Sequence, residues 1–377
     1  MDDNNSVYPM GYISYMIGEN IGYMKLNRFS ATTIDEVSEH LNSLRHLGAS
    51  KLIVDLRGNP GGLLDEAVGI VNMFVTKGTK VVEMKGREAK SNLVFLAKEK
   101  PTDLEIPIVV LIDKGSASAS EIVSGTLQDL DRAVVVGTQS FGKGLVQQTI
   151  NMEYNSILKY TTAKYYTPSG RCIQRLDYSE RKTTGKGSTI SDTLVNSFTT
   201  KNGRPVTDGR GISPDVEIDN ESISPLSISL LNENIIFDFA TNYFYNHKEI
   251  VAAKSFELNE QDYSDFEKFA LDKEFKYTTG SEKILEGLMD MAKEERYYAS
   301  SKTDFDNLVE KLSPNKTRDL KLFKDEIKEL LESEIIGRYY YQKGQVSYNL
   351  QKDKVVGKAI EILNNKTEYS SLLNPVK

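Results

Sequence analysis

The stretch IPIVVLID (106–113) is the most continuous apolar run of the chain, and it breaks directly into the small residues of GSASASE (115–121). An apolar run of strand length, bounded by a turn, reads as a strand buried inside a sheet. The rest of the first half alternates in the same way. IGYMKLN (21–27), KLIVDL (51–56), TKVVEMKG (79–86) and RAVVVG (132–137) read as strands. Residues 33–47 place Ile34, Val37, Leu41, Leu44 and Leu47 at helical spacing, LLDEAVGIVNMFV (63–75) is helical, and GSASASEIVSGTLQDL (115–130) runs from a turn into a helix. Repeated strand–helix alternation predicts an α/β core with a mostly parallel sheet and flanking helices. Beyond Lys143 the pattern turns β-like through SILKYTTAKYYT (156–167). The polar stretch 178–192 reads as a loop, and the Gly/Pro-rich NGRPVTDGRGISPDV (202–216) closes the first half.

After Pro225 only Pro314 and Pro375 interrupt a charged, helical pattern. Leu320, Phe323, Ile327, Leu330, Leu331 and Ile335 fall on one helical face, as an amphipathic helix requires. A length of 377 residues accommodates two domains, read here as a core over 1–220 and a mostly α-helical C-terminal domain over 221–377. The net charge of −7 argues against a nucleic-acid partner. A single cysteine, Cys172, excludes an internal disulfide framework. No run is long enough for a transmembrane segment. The N-terminus opens MDDNN, acidic where a signal peptide is basic, so any export signal is expected to lie outside this chain.

Two loops carry chemistry. In GSASASE, the strand-to-helix turn exposes a side chain at the carboxyl edge of the sheet, with helix-start N–H groups aimed at the same spot. That arrangement suits a nucleophile, Ser118, and an oxyanion hole. It equally fits a capping box, with Ser118 as cap and Glu121 reaching back. In GTQSFGKGLVQQ (137–148), Lys143 lies between glycines that let backbone pack closely around it. A lysine serves as a base only when neutral, which asks for desolvation. His40 and His46 share one amphipathic helix and His247 lies in the helical half, so surface placement is the reading for all three. A serine–lysine pair needs no histidine. The rival is a P-loop, since Gly137, Gly142 and Lys143 fit G-x-x-x-x-G-K. That motif requires Ser or Thr next, and a following helix; Gly144 and Leu145 stand there, and the pattern turns β-like. No metal or cofactor is implied, because the chain holds neither an H-E-x-x-H nor a Cys/His cluster.

DLRGNPGGLLDEAV, VLIDKGSASASEI, LQDLDRAVVVG, FGKGLVQQ and YYTPSGRCIQ, in this order and spacing, resemble the C-terminal processing (tail-specific) peptidases, the serine–lysine family S41. The resemblance spans about residues 10–217. It implies a crotonase-like α/β core, with Ser118 as nucleophile and Lys143 as general base. Gln147, four residues or one helical turn further, is implied to orient the lysine. The oxyanion hole is implied to use the backbone N–H of Ala119 and of Gly61 or Gly62. Ser116 and Ser120 alternate with Ser118, and the sequence alone does not separate the three. The family usually carries a PDZ domain ahead of the core. VYPMGYISYMIGENIGYMKLN resembles the segment that follows one, so this chain is expected to be a PDZ-less stretch of a longer protein or a PDZ-less member. The family also implies a bacterial periplasmic or cell-envelope location, polypeptide substrates with apolar C-termini, and a possible homo-oligomer through the helical half.

Three functions therefore stand: a serine endopeptidase cutting polypeptides near their C-termini, a P-loop-like nucleotide-binding protein, and a catalytically silent peptide-binding module.

Overall fold

The computed structural model describes residues 12–178, 187–218 and 223–374. They form two compact units, one built from 1–220 together with 353–377, the other from 221–352. The boundary expected at 220/221, the N-terminal acidic stretch and residues 179–186 of the expected loop lie outside the described residues.

The first unit opens with β1 (Tyr12–Ile17) and β2 (Ile21–Leu26), then α1 (Thr33–His46), β3 (Lys51–Asp55), α2 (Leu64–Asn72), β4 (Lys80–Gly86) and β5 (Leu93–Leu96). There follow β6 (Ile108–Ile112), α3 (Ala119–Asp129), β7 (Val134–Gly137), β8 (Leu145–Asn151) and β9 (Ile157–Tyr166). The main sheet has the order β1-β2-β3-β6-β7, with a two-residue strand, Val216–Glu217, beyond β7. Only β1 against β2 is antiparallel; every other neighbour in this sheet is parallel. The strand–helix–strand connections thus deliver the parallel sheet that the alternation predicts. The strand expected at 79–86 forms, but in a separate antiparallel sheet of order β5-β4-β9-β8.

All five residues of β6 are buried, which requires cover on both faces. On one face Ile108, Val110 and Ile112 join a core with Val37, Leu41 and Leu44 of α1, Ile70 and Val71 of α2, and Ile122, Val123 and Leu127 of α3. The alternate residues Val109 and Leu111 are fully buried outside that cluster. Their cover comes from the end of the chain. The second compact unit ends at Lys352, and the last helices of the stretch expected as the helical domain group with the core. These are α11 and α12 below.

The second unit holds α4 (Pro225–Asn232), α5 (Ile235–Asn246), α6 (Glu260–Leu271), α7 (Gly280–Glu294), α8 (Lys302–Leu312), α9 (Lys316–Leu322) and α10 (Lys324–Lys352), the last broken at Tyr341 (φ 55°, ψ −164°). Its core gathers Leu226, Phe239, Phe266, Ile327, Leu331 and Ile335. The apolar stripe from Leu320 to Ile335 is divided between two helices, because α9 ends at Leu322 and α10 begins at Lys324. The chain then returns to the first unit as α11 (Lys354–Asn364) and α12 (Lys366–Leu373). Val355, Val356, Ala359, Ile362 and Leu363 make the buried face of α11, which lies against β6 and β7. The Tyr369 hydroxyl accepts from Ile108 N–H (2.9 Å) and donates to Ile108 C=O (3.2 Å), pairing both backbone groups at the start of β6.

Candidate active site

The site lies where parallel strands end. β3 runs into residues 57–62 and β6 into residues 113–118, and the two turns are sewn together. Gly58 N–H donates to Asp113 Oδ1 (2.8 Å), Ala117 N–H to Asn59 C=O (3.0 Å), and the Ser120 hydroxyl to the same Asn59 carbonyl (2.9 Å). Asn59, wholly buried, also donates its amide to Leu26 C=O (2.9 Å) and accepts from Gly61 N–H (2.8 Å). Below this turn, Asp55 is held in two-pronged contact by Arg57 (2.9 and 2.6 Å) and receives the Tyr23 hydroxyl (2.7 Å). Burial by itself raises a carboxyl, but the Arg57 guanidinium outweighs it and holds Asp55 below the ordinary carboxylate range. Arg57 also pairs with Asp353 (2.7 Å), whose carboxylate caps α11.

The three alternating serines separate by burial. Ser116 is buried, its hydroxyl donated to Leu56 C=O (2.8 Å) and accepting from Asp113 N–H (2.9 Å). Ser120 is buried on Asn59. Ser118 is half-buried, at the N-terminus of α3 with φ 57° and ψ −110°. A non-glycine residue in this region costs about 1–3 kcal/mol, and such strain clusters where a side chain must be presented. The capping reading holds for Glu121, whose Oε2 accepts from Ser118 N–H (2.9 Å).

Glu121 does far more than cap. Its Oε2 also accepts from Lys143 N–H (2.8 Å), while Oε1 accepts from Gly142 N–H (2.7 Å) and the Ser140 hydroxyl (2.5 Å). One carboxylate oxygen thus takes the backbone N–H of both Ser118 and Lys143, so these two nitrogens are no further apart than the sum of two hydrogen bonds. Burial raises the Glu121 carboxyl, opposed by these four donors. The sequence shows Glu121 only as a cap on Ser118; the three donors that reach it from the glycine loop, 19 to 22 residues on, leave no short-range signal. Sequence reasoning also passed over Asn59 and Asp113, although Asp113 before Gly and Ser closes an Asx turn onto Gly115 and Ser116 N–H (2.9 and 3.1 Å).

Lys143 is half-buried, and its ammonium has no hydrogen bond or ion pair among the described residues. Gln147 is exposed on β8, a strand rather than the turn of helix considered for it, beside a register shift between Val146 and Gln147. A strand after the glycine–lysine loop also removes the helix a P-loop needs.

Gly61 and Gly62 differ in what they offer. A Cβ on Gly61 would stand 2.9 Å from Ala119 N and from Ser118 Cβ, and one on Gly62 would stand 2.0 Å from Phe29 O. Only glycine permits either approach. Gly61 N–H is committed to Asn59. Among the described residues, Gly62 N–H and Ala119 N–H have no acceptor; Ala119 follows Ser118 in the chain, and Gly62 follows Gly61, whose Cβ position stands beside Ser118. His46 and His247 are exposed as expected, but His40 is buried and bonded through Nδ1 to Ser14 Oγ (2.9 Å), because α1 packs that side against β1.

Residues 20–183 match the model of peptidase family S41, and residues 226–363 that of the probable PDZ-protease C-terminal helical domain. A carboxy-terminal-processing protease of Bartonella bacilliformis is 45% identical over 166 residues, covering 43% of this chain and 38% of the relative. A probable CtpA-like serine protease of Staphylococcus aureus is 34% identical over 218 residues, covering 57% of this chain and 37% of the relative. The chain thus spans little more than a third of the length of these curated relatives. The photosystem II D1 C-terminal processing protease superposes with a TM-score of 0.41 at 28% identity, over 54% of this chain and 44% of that one. Over residues 20–183 this chain is thus similar to peptidase family S41 and to these curated proteases.

Proposed function

We propose that this protein is a serine endopeptidase that cuts polypeptides near their C-termini through an acyl-enzyme. The observation that carries the reading is the shared Glu121 oxygen, which holds the backbones of Ser118 and Lys143 side by side. In this reading Ser118 Oγ attacks the scissile carbonyl while neutral Lys143 takes its proton. The amine leaves with that proton, the Ser118 ester remains, and water attacks it with Lys143 again as base. The developing oxyanion is received by Ala119 N–H and Gly62 N–H, whose lack of other acceptors supports this choice over Gly61. Gln147 lies four residues along from Lys143 and is assigned to steadying the amine. The substrates are polypeptides with apolar C-termini, and the site of action is the bacterial envelope, in keeping with the bacterial relatives.

A serine-directed phosphonate tests the nucleophile. Intact-mass analysis is expected to show one adduct, mapped to the peptide containing Ser118 and missing from Ser118→Ala. An adduct that persists in that variant contradicts the assignment.

A further inference from the structure

Lys143 sits in a loop whose backbone is pinned group by group. Ser140 N–H donates to Ile212 C=O (3.0 Å) and Phe141 N–H to Ser116 C=O (2.9 Å). Gly142 and Lys143 N–H go to Glu121. Gly144 N–H, on the other side of the lysine, goes to the side-chain oxygen of Gln174 at 2.8 Å. Gln174 is 5% exposed, and its amide nitrogen donates to Leu176 C=O (2.9 Å). Both ends of the amide are thereby used, and a flipped amide would set donor against donor and acceptor against acceptor. The fit is close: a Cβ on Gly144 would stand 2.7 Å from Gln174 N, and Arg175 N–H donates to Gly142 C=O (3.0 Å).

The segment bearing Gln174 is itself fixed. Thr167 N–H donates to Arg171 C=O (3.1 Å), and Tyr166 bridges to Cys172. Arg171, fully buried, pairs with buried Asp129 (2.7 Å), the last residue of α3. One helix therefore acts on the lysine from both sides. Its first turn supplies Glu121 to the N–H of Lys143, and its last residue anchors the turn that brings Gln174 to Gly144.

We propose that Gln174 is a positioning residue for Lys143, holding the peptide that follows the lysine so that its amine faces Ser118. This rests on Lys143 serving as the base in the reading above. Gln174 touches neither substrate nor reacting atoms; it acts through the loop.

The test uses reduced, unfolded casein as substrate, with kcat, KM and thermal unfolding measured for the parent, Gln174→Met, Gln174→Glu and Lys143→Ala. Methionine keeps the length of the side chain and removes the acceptor. A misplaced base costs about 10- to 100-fold in rate, so Gln174→Met is expected to lose that much in kcat with KM held within about two-fold. Glutamate keeps an oxygen for Gly144 N–H but sets its other oxygen against Leu176 C=O, so its kcat is expected to fall between those of the parent and Gln174→Met. Should the methionine variant unfold, Gln174→Asn carries the same expectation, since it draws the acceptor back by one methylene. A folded Gln174→Met at parental kcat, a loss confined to KM, or equal losses in Met and Glu variants would each overturn the proposal. Cleavage retained in Lys143→Ala would overturn the peptidase reading beneath it, and the role of Gln174 with it.

Discussion

Glu121 can only accept. Its two oxygens face three backbone N–H groups and one hydroxyl. Glu121→Gln turns one of those oxygens into a donor, which then meets N–H groups it cannot satisfy. Each unsatisfied buried group costs about 1–3 kcal/mol. Urea unfolding is expected to show a loss of that order, and peptide cleavage a fall of about 100-fold or more, since both Ser118 and Lys143 shift. Ser120→Ala makes the contrast. It removes the bond to Asn59 C=O and is expected to cost about 1 kcal/mol of stability, with phosphonate labelling of Ser118 retained. Labelling lost in a folded Ser120→Ala protein would give that serine a part in the chemistry.

The helices and strands make their own predictions. His40 is buried on α1, and burial lowers its pKa from the ordinary 6.5, against the pull of Glu39 and Glu36. The folded state therefore binds the proton less readily than the unfolded one. Its contribution is present above about pH 6.5 and is lost as pH falls from there through the folded pKa. Melting temperature is expected to drop over that acid window, and less steeply in His40→Gln. Tyr369→Phe removes the partner of both Ile108 backbone groups and is expected to cost about 1–3 kcal/mol by denaturant unfolding. Elements of this kind were legible wherever periodicity is local. Val37, Leu41 and Leu44 give α1, and the unbroken Ile108–Ile112 gives a doubly covered strand. The sequence did not say what covers the second face of β6, because α11 is more than 200 residues away along the chain and its apolar stripe looks like that of any other helix in the C-terminal half. His40 was misplaced for the same reason: helical spacing shows a face, not the β1 strand packed on it. At the site, Ser118 and Lys143 were visible as small-residue and glycine motifs, whereas Asn59, Glu121 and Gln174 act through backbone groups brought together only by folding.

The molecule divides so that its C-terminal end completes its first unit. A chain ending at Lys352 would strip α11 from Val109 and Leu111 and leave Arg57 without Asp353. Exposed core of that size favours collapse or aggregation, and circular dichroism is expected to show a lowered and broadened melt. A truncated protein that melts like the parent would contradict the division drawn here. The central claim concerns what the completed unit does. An unstructured polypeptide with an apolar C-terminus, incubated with the parent, Ser118→Ala and Lys143→Ala and followed by mass spectrometry, tests it most directly. Cleavage near the C-terminus by the parent and by neither variant is the expected result. Cleavage that survives Ser118→Ala, or a parent that binds the polypeptide without cutting it, would contradict it.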